Sequence, residues 1–130
     1  MVKGYLLDTH IIIWLLTQPE KLSEDVREII LNKDNTLYFS IISFWEMAIK
    51  YSLGKLDLSE NWQEIFKTEL ESNFIHDINV DWSAIQCLET LPFHHRDPFD
   101  RMLIAQAMTK HLDVISVDQH FEQYNINVIK

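Results

Sequence analysis

The chain has 130 residues, 47% hydrophobic and 12% aromatic, which is enough for one packed core and too apolar for a disordered segment. Its formal charge of −9 excludes binding to nucleic acid or membranes through a net basic field, although a site for divalent cations is itself acidic and needs only a local basic rim. The single cysteine, Cys87, excludes an internal disulfide and suggests a reducing compartment, and the two glycines, Gly4 and Gly54, exclude a P-loop and a G-x-G-x-x-G turn.

The sequence enters a strand with no leader-like stretch, and no apolar run approaches ~18 residues. A single cytoplasmic domain spanning 1–130, with no membrane association, is therefore expected. Tyr5–Leu7 is a short apolar run that ends in Asp8, and Ile11–Leu16 suits a helix beginning just after it. Thr17 to Leu22, with Pro19, is a loop. Ser23 then caps a helix with Glu24 and Asp25 in its first turn and Val26, Ile29 and Ile30 on one face. Leu37–Ile42, rich in β-branched and aromatic residues, predicts the second strand, and Ser43 opens a helix over Phe44–Leu53 that stops at Gly54. Ser59 is expected to cap the next helix, in which Trp62, Ile65, Phe66 and Leu70 fall at helical spacing. Phe74–Ile78 is a strand interrupted by polar residues. Asp81 caps a helix with Trp82, Ile85 and Leu88 on one face, and Leu91-Pro92 ends it.

The stretch from His94 to Asp118 is the most informative. Pro98 lacks an N–H and has a fixed φ, so it fits a first helical position, with Asp97 as N-cap and Asp100 in the first turn. Met102 to Met108 is almost wholly apolar, as in a helix wedged against a sheet. Asp113 and Val114–Val117 read as a buried strand ending at Asp118, Phe121 and Tyr124 as a short helical turn, and Ile126–Ile129 as the last strand. Strands alternating with helices imply an α/β fold, with a mainly parallel sheet of four or five strands. Right-handed crossovers put the strand-to-helix loops on one edge, outside the carboxyl ends of the strands, where such sheets bind ligands.

Asp8, Glu46, Asp100 and Asp118 then come from four separate segments to that edge. Each has a structural alternative: Ser43-x-x-Glu46 fits a capping box, Asp100 favours the helix dipole, and Asp8 and Asp118 suit solvated loops. Asp97 as an N-cap is foremost structural, though close enough to tune a site. Convergence of four acids favours function. Two carboxylates ~4 Å apart repel by roughly 4 kcal/mol at an effective dielectric near 20, so a cation must compensate. Oxygen-only ligation points to Mg²⁺ or Mn²⁺, and metal-assisted phosphodiester hydrolysis needs no nucleophilic side chain. Thr9 and Ser43 could hydrogen-bond the carboxylates or simply cap helices. Lys50, His94, His95, Arg96 and Arg101 are the few basic groups near the edge, with Arg96 and Arg101 expected to bind phosphates flanking the scissile one. Metal ligation by His94-His95 fits no trusted spacing. The four tryptophans, Trp14, Trp45, Trp62 and Trp82, are expected in the core, with Trp62 and Phe66 also candidates for lining a partner groove.

Four motifs carry a family resemblance: Tyr5-Leu-Leu-Asp8-Thr9, Ser43-Phe-Trp-Glu46-Met-Ala, Asp97-Pro-Phe-Asp100-Arg-Met-Leu-Ile-Ala-Gln-Ala107, and Ser116-Val-Asp118 followed by Phe121. Singly weak, together and in this order they make the chain resemble the PIN domain, and specifically the VapC-like toxin ribonucleases of type II toxin–antitoxin pairs. The resemblance implies a three-layer α/β/α sandwich, Mg²⁺-dependent endoribonuclease activity, homodimerisation and inhibition by an antitoxin. It puts Asp8, Glu46, Asp100 and Asp118 on the family's acidic quartet, with Asp97 as an accessory acid. Ser116 stands where many relatives carry Thr and is read as supporting Asp118. Two other functions compete. An aspartyl-nucleophile phosphatase would want a second acid two residues after Asp8, where His10 stands. A catalytically silent protein-binding module would hold a cation only for structure.

Overall fold

The computed structural model describes residues 3–130. Five strands form one parallel sheet: β1 (Lys3–Leu7), β2 (Asn35–Ser40), β3 (Ile75–Ile78), β4 (Asp113–Ile115) and β5 (Val128–Ile129), in the order β3-β2-β1-β4-β5. Six helices accompany them: α1 (Thr9–Thr17), α2 (Glu24–Leu31), α3 (Ile41–Ser52), α4 (Trp62–Ser72), α5 (Trp82–Thr90) and α6 (Pro98–Lys110). None of the described helices is long and apolar enough to cross a membrane.

Alternation along the strands builds two cores, one on each face of the sheet. Tyr5 and Leu7 of β1, Leu37 and Phe39 of β2 and Ile115 of β4 point to one face, where they pack with Ile11, Ile12, Val26, Met47, Trp62, Phe66 and Leu70. Leu6 and Val114 point to the other, against Ala84, Leu103, Ile104, Ala107 and Phe121. A sheet covered on both faces is the three-layer sandwich expected for parallel strands. α6 is buried continuously from Arg101 to Ala107, which explains its lack of a polar face. The chain runs outward from β1 through β2 to β3, then returns to lay β4 on the other side of β1. The crevice between β1 and β4 is thus a topological switch point.

Several boundaries differ from those read in the sequence. Ile41 and Ile42 belong to α3 and not to β2, because Ser40 is the N-cap and its Oγ accepts from the Ile42 N–H at 3.1 Å. Ser43 is therefore the third helical residue, and the capping box with Glu46 does not exist. Asn61, not Ser59, precedes α4, with no side-chain cap; the Ser59 carbonyl takes the Trp62 N–H at 3.1 Å instead. Phe74 lies outside β3, in the left-handed region at φ 58°. β4 stops at Ile115, three residues before Asp118, and β5 holds only Val128 and Ile129 of the expected Ile126–Ile129. Gly54 follows the α3 C-cap at φ 70°, as its position predicts. Trp62 is core, as expected, and Phe66 is buried with it, so neither lines a groove; Trp45 and Trp82 are 57% and 79% exposed and are not core.

Candidate active site

Asp8 leaves β1 at the switch point. Its backbone N–H extends the sheet to the Ile115 carbonyl at 3.0 Å, and its carboxylate caps α1 by accepting from the Thr9 N–H at 2.7 Å. Its Oδ2 accepts from Ser116 Oγ at 2.8 Å. Ser116 also accepts from the Asp118 N–H at 3.0 Å, so this one hydroxyl ties the loops after β1 and β4 together. On the β2 side, Glu46 lies on the inner face of α3. Thr9 Oγ1 lies 2.9 Å from Glu46 Oε1 and 2.8 Å from Ser43 Oγ. Thr9 has one proton and a carboxylate only accepts, so Thr9 donates to Glu46 and Ser43 supplies the proton of the other bond. The second Glu46 oxygen pairs with Lys50 Nζ at 2.6 Å, one helical turn on.

The third and fourth acids meet across a histidine. Asp97 caps α6, accepting from the Phe99 and Asp100 N–H groups at 2.8 and 3.3 Å. Asp100 then projects from the first turn, and its Oδ2 lies 2.9 Å from His95 Nε2. The same Nε2 lies 2.9 Å from Asp118 Oδ2. Asp8, Glu46, Asp97, Asp100 and Asp118 line a single cleft of about 440 Å³, with Thr9, His10, Trp14, Lys50 and Val117 completing its walls.

Residues 5–127 fit the family model of the PIN domain. The chain belongs to the PIN domain family. Among solved structures, this PIN domain is similar to VapBC2 from Rickettsia felis bound to a DNA fragment from their promoter, with 16% identity and a TM-score of 0.71, over 99% of this chain and 98% of that one. It is similar to DNA-bound VapBC from Salmonella typhimurium at 20% identity and a TM-score of 0.68, over 99% and 98% of the two chains. The match to FitAcB from Neisseria gonorrhoeae has 19% identity and a TM-score of 0.63, over 97% and 96%. At such identities the likeness is one of fold. No curated protein sequence matches the chain.

The electrostatics of this PIN domain's cleft are those of a site short of positive charge. Burial pushes the Asp8 carboxyl up against the opposing hydrogen bonds from Ser116 and Thr9, and Glu46 adds to the rise. Asp100 is pushed up to about 8, first by burial and then by the charges of Asp8, Asp97, Glu46 and Asp118. Asp118 is different: partial burial would raise it, but the His120 N–H at 2.9 Å and the rings of His95 and His120 hold it below the ordinary range. Among the described residues Lys50 is the one ammonium in the cleft walls, and its pKa is raised: burial opposes the rise and Glu46 overrides it. The donor set is all carboxylate, and burial together with four neighbouring carboxylates pushes Asp100 well above the ordinary range. Both observations fit a hard divalent ion such as Mg²⁺ or Mn²⁺.

Arg101 is a correction. Its side chain does not face the cleft; the residue is 6% exposed, and its guanidinium donates to the carbonyls of Leu88, Leu91, Pro92 and His95 and to Tyr124 Oη, under the Phe93 ring. It caps the C-terminal end of α5, where a cation suits the helix dipole, and it anchors the 92–96 loop. Arg96 is exposed on that loop and is not among the residues lining the cleft. The residue that sequence reasoning undervalued is His95. The signal was present in its place two residues before the Asp97 cap, but a lone histidine in a loop does not announce which carboxylates it meets.

Proposed function

We propose that the chain is a divalent-metal-dependent endoribonuclease and the toxin of a toxin–antitoxin pair. The observation that supports this most is the convergence of Asp8, Glu46, Asp100 and Asp118 on one cleft whose carboxylates outnumber its cations, in a PIN domain. In this reading Asp8, Glu46 and Asp100 hold the principal ion, and Asp118 completes its shell through water or holds a second ion. Mg²⁺, or Mn²⁺ in its place, would supply an acidified water and neutralise charge on the leaving oxygen. The chain's own contribution is preorganisation. Ser116 and the Thr9 N–H fix the Asp8 rotamer, Thr9 and Ser43 fix Glu46, and Lys50 holds the outer oxygen of Glu46 at the cleft wall. Half-buried Lys50 and exposed Arg96 are cations available to neighbouring phosphates.

Partners follow from the same reading. The similar structures are described as VapBC and FitAB assemblies, and another as a toxin–antitoxin complex from Klebsiella pneumoniae, which supports an antitoxin as inhibitor of this chain. An apolar hollow beside α1 and α2, lined by Leu15, Leu22, Ile30 and the exposed Leu31, is a surface such a partner would cover. A second copy is also expected, and the exposed apolar side chains available to it include Trp45 and Ile49 of α3 and Trp82 and Ile85 of α5. The test is cleavage of a fluorescent RNA in Mg²⁺ and in EDTA, beside hydrolysis of a small phosphate ester. Chelator-sensitive RNA cutting that Asp8→Asn abolishes without loss of fold is the expected result. Ester turnover without RNA cutting would favour a phosphatase, neither activity a silent binding module, and wild-type cutting by Asp8→Asn would overturn the site.

A further inference from the structure

His95 is held from every side. Its backbone N–H donates to Tyr124 Oη at 2.9 Å, that hydroxyl donates to the Pro92 carbonyl at 2.7 Å, and Arg101 donates to the His95 carbonyl at 3.3 Å. The ring stands edge-on to buried Phe121, 5.9 Å between centroids, and its side chain is 13% exposed. The Asp97 N–H, 3.1 Å away, points at Nδ1. A backbone N–H can only donate, so Nδ1 must present its lone pair, and the proton of the neutral ring sits on Nε2. That Nε2–H is then donated to Asp118 Oδ2 at 2.9 Å, while Asp100 Oδ2, from a residue 18 positions away in sequence, lies at the same distance from the nitrogen.

The nitrogens of His95 and His120 and an oxygen of Asp118 also lie within 4.8 Å of one another, a grouping that on distance alone could hold a soft or borderline metal ion. The tautomer argues otherwise for His95. Ligation through Nε2 would require its lone pair, hence a proton on Nδ1 facing the Asp97 N–H, two donors head to head.

We propose that His95 is a positioning residue of the carboxylate site: locked as the Nε2–H tautomer by the α6 N-cap, it holds Asp118 by a hydrogen bond beside Asp100 and does not itself ligate the ion. This rests on the metal-dependent reading above. It gives Asp97 a second task, since its carboxylate caps α6 while its own N–H sets the ring. It also gives buried Arg101 and Tyr124 a reason to converge on the 92–96 loop. The Nε2–H stabilises the negative charge of Asp118 and limits its rotamer beside Asp100, which lowers the cost of bringing the two to one cation.

Two measurements test it. Calorimetric titration of Mn²⁺ without RNA should show His95→Phe binding about 10–100-fold more weakly than wild type, the range for losing an outer hydrogen bond to a metal ligand. His95→Gln, which keeps an N–H donor for Asp118, should retain most of the affinity. A role in folding alone would not separate the two variants at equal melting temperature. Nitrogen-15 NMR of the histidines in wild type, which needs no variant to fold, should show His95 protonated on Nε2 and not on Nδ1, before and after Mg²⁺. Tight Mn²⁺ binding by a folded His95→Phe, or a proton on Nδ1 once Mg²⁺ is added, overturns the positioning role and leaves the nuclease reading intact. A wild type that binds no divalent ion removes both.

Discussion

Replacing Asp100 with Asn should make the metal-free protein more stable at neutral pH, although it deletes a residue at the centre of the site. Burial and four neighbouring carboxylates push Asp100 from 3.8 up to about 8. Below pH 3.8 folded and unfolded chains both carry the proton. As pH rises, the unfolded chain releases it while the folded chain keeps it, so stability falls until the folded group also ionises near pH 8, and the loss is constant above. One unit is worth about 1.4 kcal/mol, so the ceiling at pH 7 is about 4 kcal/mol, a large share of a typical domain's 5–15 kcal/mol. Asn carries no charge and fills nearly the same volume. Urea unfolding in EDTA should show Asp100→Asn more stable by about 1–4 kcal/mol at pH 7, with the gap closing towards pH 4. Saturating Mg²⁺ should reverse the order, because only the wild type gains the ion's full binding energy. Equal or lower stability of Asp100→Asn at pH 7 in EDTA, or a gap independent of pH, would refute the claim that charge crowding governs this cleft.

Other substitutions probe the remaining assignments. Arg101→Leu should cost about 1–3 kcal/mol in urea unfolding, because the Leu91 carbonyl loses the guanidinium and the carbonyls of Leu88 and Pro92 each lose one of two donors; a loss of RNA affinity with unchanged stability would restore its reading as a phosphate contact. Ser40→Ala should cost about 1 kcal/mol of stability and leave RNA cleavage unchanged, as removal of a helix cap does. Ser43→Ala should instead lower Mn²⁺ affinity, about 10-fold or more by calorimetry, since Ser43 supports Glu46 through Thr9. The rise in melting temperature caused by Mg²⁺ should be greater at pH 8 than at pH 5, where protons compete for Asp100.

Features decided by neighbouring residues were legible in the sequence. Asp97-Pro98 starts α6 because a carboxylate cap and a missing N–H are local facts, and Gly54 ends α3 because only the nearby backbone sets its φ. The alternation of strands and helices gave a parallel α/β sheet, since side-chain period reports burial on both faces. Even here Ser40 won the cap from Ser43: either serine can cap an adjacent turn, and the choice fell to the sheet edge that buries Ser40 and to Thr9, which engages Ser43.

What tertiary structure alone decided are pairings between distant segments. Ser116 reaches Asp8 across 108 positions because β4 lies beside β1, a strand order that local sequence does not encode. Arg101 carries the same charge as Arg96, yet one is sealed among carbonyls and the other faces water, because α5 ends against α6 and presents its last carbonyls there. His95 lies between Asp100 and Asp118 for a related reason, as the 92–96 loop is pinned by Tyr124, 29 positions from His95, as well as by nearby Arg101. Residue type settles which bonds a group is able to make, and packing settles which of them it makes.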